Sequence, residues 1–313
     1  MLICRAANTD AVTPLTQLLA FFPWLLAPAA LALFLALYAR WRPGMAWAAL
    51  TTGVLAWFLQ PYGTTAEPTT PPLTTLRVLT SNVEFGYGTP SLIARIHETK
   101  PDVVFIPECE EARCTRELNR AFGNPAADGT ADRTAAGPGA KGTYPYRQTV
   151  ASYGSAGSVI LSRFPLPPAP TLPPQMGMPS ATADVDGNPV RLQLAHPMPP
   201  LPGQVDVWKR ELARIRTFAA ATPGPLILAG DFNASEDHAA FRRILNTGLR
   251  DTAALDGDTH TPSWPSRTAP PFGTQIDHVL VSGEFSAADA HFLDIAHTDH
   301  RALVVDLTLH SGQ

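Results

Sequence analysis

The chain has 313 residues, 45% of them hydrophobic, which suffices for one large domain, or for one domain with an appendage. Its net charge of -4 gives no general attraction for polyanions. Three cysteines, Cys4, Cys109 and Cys114, are too few to build a fold from disulfides. Cys109 and Cys114 read either as a pair in an oxidising compartment or as two free thiols on one helix.

The first 60 residues differ from the rest. "LTQLLAFFPWLLAPAALALFLALY" (15–38) carries no charge and is long enough, as a helix, to cross about 30 Å of hydrocarbon. Pro23 and Pro28 weaken such a helix but are tolerated in a bilayer. A second uncharged run covers 44–60, and Arg40 and Arg42 lie between the two. The pattern predicts a multi-pass membrane protein with a transmembrane hairpin at 15–38 and 44–60. The two arginines would stay in the cytoplasm and put the remainder of the chain outside it. "TTAEPTTPPLTT" (64–75) then reads as an extended Pro/Thr linker.

From residue 76 strands and helices alternate. "LRVLTSNV" reads as a strand and "PSLIARIHETK" as an amphipathic helix with Leu92, Ile93 and Ile96 on one face. "PDVVFI" is a buried strand and "EEARCTRELNRAF" a helix, while 123–143, rich in Gly, Ala and Asp, reads as a mobile loop. "GSVILS" is a strand, and "SATADVDG" and "NPVRLQLAH" form a hairpin turning at Asp186, Gly187 and Asn188. "VDVWKRELARIRTFAAA" is an amphipathic helix, followed by the strand "LILAGD", the helix "EDHAAFRRILNTG", and the strands "TQIDHVLVS" and "RALVVDLTLH". This order predicts an α/β domain with a mixed sheet. No Gly-x-Gly-x-x-Gly or Walker loop is present, which disfavours glycine-cradled nucleotide binding.

The chemistry gathers where the apolar strands stop. Asn82 closes the first and Glu108 follows the second; His196 ends the strand before the long helix. Asp231 and Asn233 follow "LILAG", Asp277 lies in "TQIDHVLVS", and Asp299 and His300 precede the last strand. Each of these is ordinary alone. Together they supply hard oxygen ligands and imidazoles without zinc-ligand spacing, which suits Mg²⁺ or Mn²⁺. The set points to metal-assisted attack by water on a phosphoester.

"SNVEFG", "PECE", "AHPMPP", "GDFNAS", "IDHVLVS" and "TDHRAL" occur in the order found in the endonuclease/exonuclease/phosphatase superfamily, and residues 76–310 resemble that family. It includes DNase I-like nucleases, neutral sphingomyelinases and inositol-polyphosphate phosphatases. The resemblance implies a four-layer α/β sandwich of two mixed sheets, here preceded by the transmembrane hairpin. It implies a metal held by Asn82, Glu108 and Asp299, and a catalytic set of His196, Asp231, Asn233, Asp277 and His300. His196 would contact the scissile phosphate or protonate the leaving oxygen, and Asp231 and Asn233 would position water. His300, held by Asp277, would be a general base or phosphate contact. The chain departs from the pattern at Pro107, where Gln is usual, and at Cys109.

A hydrophobic hairpin, a Pro-rich linker and this domain are together similar to a membrane-anchored bacterial branch associated with glycopeptide resistance. The resemblance implies a lipid-linked phosphate or pyrophosphate of cell-envelope synthesis as substrate. The alternatives are a surface nuclease, disfavoured because residues 77–313 carry 20 Lys and Arg against 25 Asp and Glu, and a non-catalytic envelope sensor, disfavoured by the complete polar set.

Overall fold

A computed structural model of the protein describes residues 1–63, 68–123, 144–167, 176–257, 259–268 and 272–312. Eleven strands among them form two mixed sheets. The first contains β1 (Pro72–Thr80), β2 (Val103–Pro107), β3 (Tyr146–Val150), β4 (Ser158–Ser162), β10 (Phe285–Asp294) and β11 (Arg301–His310), in the spatial order β10-β11-β1-β2-β4-β3. The second contains β5 (Ser180–Val185), β6 (Asn188–Ala195), β7 (Leu226–Asp231), β8 (Arg250–Asp251) and β9 (Asp277–Val281), in the order β5-β6-β7-β9-β8.

Alternation along the strands explains the layers. In β2, Val103 and Phe105 pack into the core between the sheets, while Val104 and Ile106 face the helices α5 (Thr89–Thr99) and α6 (Arg116–Phe122). In β7, Ile227 and Ala229 face the first sheet, while Leu226 and Leu228 meet α7 (Val205–Ala221) and α8 (Ala239–Leu245). Strands buried on both faces read as unbroken apolar runs, which is how these two read. The result is helix, sheet, sheet, helix, the four layers expected.

Each sheet holds one parallel pair at its centre. β1 pairs with β2 through Thr80 opposite Phe105, and β6 with β7 through Ala195 opposite Gly230. Asn82 and Glu108 therefore leave the first sheet at neighbouring carboxyl ends, and His196 and Asp231 leave the second in the same way. Ligands of α/β sheets gather at such ends.

The β5–β6 hairpin turns through Asp186 (φ 51°) and Gly187 (φ 86°), the two positive angles that a tight hairpin turn needs. The helix expected at 110–122 begins as a wider turn at Glu111–Thr115 before α6. Cys109 and Cys114 are joined by a disulfide across that turn. The expected loop at 123–143 lies, from residue 124, outside the described residues, as do 64–67 of the linker. The linker's last residues, from Pro72, already pair with β11.

The membrane hairpin is not there. Among the described residues no helix is long and apolar enough to cross a membrane. The run 15–38 divides into α2 (Leu15–Leu19), a 3-10 turn (Phe22–Leu25) and α3 (Leu26–Tyr38). Pro23 starts the 3-10 turn and Pro28 sits in the first turn of α3, positions that proline accepts as beginnings rather than middles of helices. The 13 residues of α3 reach only about 20 Å, and the 17 of α4 (Arg42–Phe58) about 26 Å. The multi-pass topology and the orientation read from Arg40 and Arg42 fall with the spans.

The N-terminal segment instead docks on the domain through polar groups. Arg5, in α1 (Leu2–Ala6), pairs with Asp237 at 3.3 Å. The Asp10 carboxylate accepts from the Ala239 and Ala240 amides at the start of α8 (2.5 and 3.0 Å), and Arg242 donates to Asn8 at 2.8 Å. Such buried groups need partners of this kind.

Candidate active site

The strand ends converge. Asn82, 1% exposed, donates from Nδ2 to Glu108 Oε1 (3.2 Å) and to Asp231 Oδ2 (3.1 Å), which joins the two sheets. Its Oδ1 accepts from the Glu84 amide at 3.0 Å, and Glu108 Oε2 accepts from the Phe85 amide at 3.1 Å. Glu108 itself takes a left-handed backbone (φ 55°), which turns its carboxylate back over the strand end. Burial pushes the Glu108 carboxyl up, against the hydrogen bond from Asn82.

On the other sheet, Gly230 has φ +146° and a Cβ there would lie 2.1 Å from the Ala195 carbonyl oxygen. Only glycine lets β7 approach β6 this closely just before Asp231. Asp231 Oδ1 accepts from the Asn233 amide (2.7 Å), and Asn233 Nδ2 donates to the Pro197 carbonyl (3.0 Å). Trp208, fully buried on α7, donates to the Asn233 carbonyl at 3.0 Å and fixes the turn from behind. Asp277 stands directly opposite Asp231 in the antiparallel β7–β9 register.

His300 closes the group. Its Nδ1 lies 2.8 Å from Asp277 Oδ2, and its Nε2 lies 3.7 Å from Asp231 Oδ2 and 3.8 Å from Asp299 Oδ1. Burial alone would pull the ring down, but Asp277, Asp231 and Asp299 outweigh it and raise His300 to about 10. Burial pushes the Asp231 carboxyl up to about 7. Those two directions oppose each other across one contact. We place the proton on His300, which has a carboxylate on each side. His196 differs: burial, reinforced by charge on His300, lowers it to about 3, so its imidazole is neutral. His196 Nε2 lies 3.7 Å from Glu108 Oε1, and its Nδ1 is buried without a partner.

Every residue expected in the site from the sequence is therefore drawn into one constellation. Glu108, His196, Asp231, Asn233, Asp299 and His300 line a single cavity of about 520 Å³; Asn82 and Asp277 stand behind it as hydrogen-bond partners. The metal was expected at Asn82, Glu108 and Asp299. Among the described residues, Asp231, Asp277 and His300 beside them form a group whose ligand atoms all lie within 4.8 Å of one another. Glu84, Glu108, Asp231 and Asp299 crowd four carboxylates around a cavity with no Lys or Arg in its lining among the described residues. This donor set fits a hard divalent cation.

Sequence reasoning missed four contributors. Trp264 donates to Asp299 Oδ2 at 2.8 Å and lines the cavity. Thr298 donates to the Asn82 carbonyl (2.9 Å) and accepts from the His300 amide (3.2 Å), which ties the last loop to the first strand. Gln17 and Phe21 reach the cavity from the N-terminal segment. Trp264, a lone large apolar residue between prolines in "TPSWPS", was a usable signal; Gln17 gave none.

The fold and this site define a hydrolase of phosphate esters. A family model described as "Endonuclease/Exonuclease/phosphatase family" matches residues 79–300. The chain belongs to that family. No curated protein gives a significant match to the sequence. Among solved structures, the chain is similar to an endonuclease/exonuclease/phosphatase from Beutenbergia cavernae DSM 12333, with 21% identity and a TM-score of 0.54, covering 76% of this chain and 72% of that one. It is also similar to an AP endonuclease from Archaeoglobus fulgidus (15% identity, TM-score 0.55, covering 74% and 98%). A third is D. rerio TDP2 complexed with single strand DNA product (16% identity, TM-score 0.54, covering 75% and 99%). At these identities the likeness shows the fold.

Proposed function

We propose that this protein is a Mg²⁺- or Mn²⁺-dependent phosphoesterase whose substrate carries its phosphate on an apolar group, a lipid-linked phosphate or pyrophosphate being the sharpest candidate. The lining of the catalytic cavity carries this reading. Among the described residues this lining holds no Lys or Arg, Arg267 touching it only through Glu84 at 2.9 Å, and its walls include Phe21, Met176, Met198, Leu201 and Trp264. A nucleic-acid backbone is gripped mainly by Lys and Arg, whereas these walls offer contact to an apolar leaving group.

In this reading Asn82, Glu108 and Asp299 hold the metal beside Asp231. A bound divalent cation would supply charge neutralisation at the phosphate oxygens. Asp231, with its raised carboxyl and with Asn233 beside it, orients water and takes its proton as the new P–O bond forms. Protonated His300, held by Asp277, stabilises the charge that develops on the phosphoryl oxygens. That favours phosphate contact over general base for His300. Neutral His196 donates a hydrogen bond to the ester oxygen that departs with the apolar group.

The full chain, assayed with Mg²⁺ on a polyprenyl phosphate or pyrophosphate in detergent micelles and on plasmid DNA, tests the reading. Phosphate release from the lipid with little DNA cleavage is expected. Efficient DNA cleavage with no phosphate released would establish the nuclease alternative.

A further inference from the structure

A second cavity, of about 300 Å³, lies beside the catalytic one, between the N-terminal segment and the second sheet's loops. That volume is at the lower end for cavities that hold small molecules, about 300–1,000 Å³. Its walls include Trp24, Leu26, Ala27 and Phe272, and it shares Ala20 and Thr274 with the catalytic cavity. Ala20 and Thr274 therefore border both cavities.

An aromatic row runs along the same path. Trp264, hydrogen-bonded to Asp299 in the catalytic cavity, lies 6.5 Å from Phe21 between ring centroids. Phe21 packs edge-on to Trp24 at 5.8 Å, and Trp24 edge-on to Phe272 at 5.4 Å. Trp24 is pinned by its Nε1, which donates to the Gly273 carbonyl at 3.2 Å. The polar side of the second cavity is only partly satisfied within the protein: Glu236 Oε1 and His260 Nε2 are buried there without a hydrogen-bond partner. His278 bonds Asp251 (2.6 Å) and the Ala234 carbonyl (3.0 Å). The side of this chamber built by Trp24, Leu26, Ala27 and Phe272 is apolar, and the aromatic row links it to the catalytic cavity.

We infer that this chamber binds the hydrocarbon chain of the substrate, an alkyl or prenyl group esterified to the phosphate at Asp231 and His300. The inference rests on the phosphoesterase reading above and adds to it the subsite and the residues that build it. Ala20, Phe21, Trp24, Leu26 and Ala27 all precede residue 79, where the family match begins. Chain-length preference would therefore be set in part by the N-terminal segment, whereas the chemistry belongs to the family domain.

Calorimetric titration of the full chain with methyl-, butyl- and octylphosphonate, in Mg²⁺, tests the chamber without relying on turnover. Burial of each methylene should tighten binding roughly fourfold, and a gain of at least tenfold from butyl to octyl is expected. Trp24→Ala removes a wall, and Ala27→Trp fills the space from an exposed position that accepts a large side chain. Both should cut the butyl-to-octyl gain below about threefold, with folding checked by circular dichroism. A gain that survives both substitutions overturns the chamber and leaves the phosphoesterase reading standing. No gain in the native protein, with no hydrolysis of octyl phosphate, overturns both.

Discussion

Replacing His300 by alanine strands the Asp277 carboxylate. Asp277 is 0% exposed, its Oδ2 is held by His300 Nδ1 at 2.8 Å, and its Oδ1 already has no partner. His300→Ala leaves a buried charge with neither counter-charge nor hydrogen bond, which costs about 3–5 kcal/mol. Asp277→Ala instead leaves His300 with Asp231 3.7 Å away, so its cost should be smaller. In the double variant the stranded carboxylate is gone, and the total loss should fall short of the sum of the singles by about 2 kcal/mol. Activity should follow the same logic: each single loses about 10²-fold or more in kcat/KM, and the double little beyond the worse single. Urea denaturation of the four proteins, with kcat/KM on a short phosphate ester, completes both cycles. Additive losses in stability and in log rate would refute the claim that the two residues act as a unit.

Glu108→Gln should keep the fold and lose Mg²⁺-dependent turnover by about 10²-fold or more, because a hard anionic ligand is gone; a folded variant with native activity would remove Glu108 from the metal site. Gly230→Ala should destabilise by more than about 3 kcal/mol, since its Cβ meets the Ala195 carbonyl oxygen at 2.1 Å, and an unchanged urea midpoint would contradict that packing. Cys109→Ser with Cys114→Ser opens a short loop beside Glu108, at a sequence separation of 5, and should cost roughly 2 kcal/mol and weaken Mg²⁺ binding; Mg²⁺ titration and denaturation of the double variant read both effects. Folded His196 protonates only near 3, while the unfolded side chain does so near about 6.5. The unfolded state therefore binds the extra proton between those values, so stability falls as pH drops through that window. His196→Gln should make the decline between about pH 6 and 4 shallower by up to one proton, and equal slopes would show that the native ring is not held neutral.

The sequence made the centre of the molecule legible because its central strands are buried on both faces. "VVFI" and "LILA" are continuous apolar runs, and the first polar residues after them are the ones the fold brings together. β10 went unread because "FSAADAHFLD" is rich in Ala and Asp, residues poor in strands, and owes its conformation to pairing with β11. The N-terminal run misled for another reason: apolarity without charge looks alike in a lipid-facing helix and in short helices packed on protein. What distinguishes them here is partners far off in sequence, Asp10 with Ala239 and Trp24 with Gly273. Phe21 and Gln17 reach the cavity only through that docking, so no local pattern marks them. The polar residues at the strand ends were readable as a set. The β7–β9 register that sets Asp277 opposite Asp231 was not.

The hydrogen bond from Asn82 to Asp231 crosses from one sheet to the other, and so does the one between His300 and Asp277. Neither layer holds a working half. Asn82, Glu108 and His300 belong to one, His196, Asp231 and Asp277 to the other, and the apolar core between them sets their spacing. The candidate site is a property of the seam. A core substitution far from the cavity that shifts the sheets by about 1 Å can silence the protein with every catalytic side chain in place, and the core residues between the sheets are in that sense its alignment gauge.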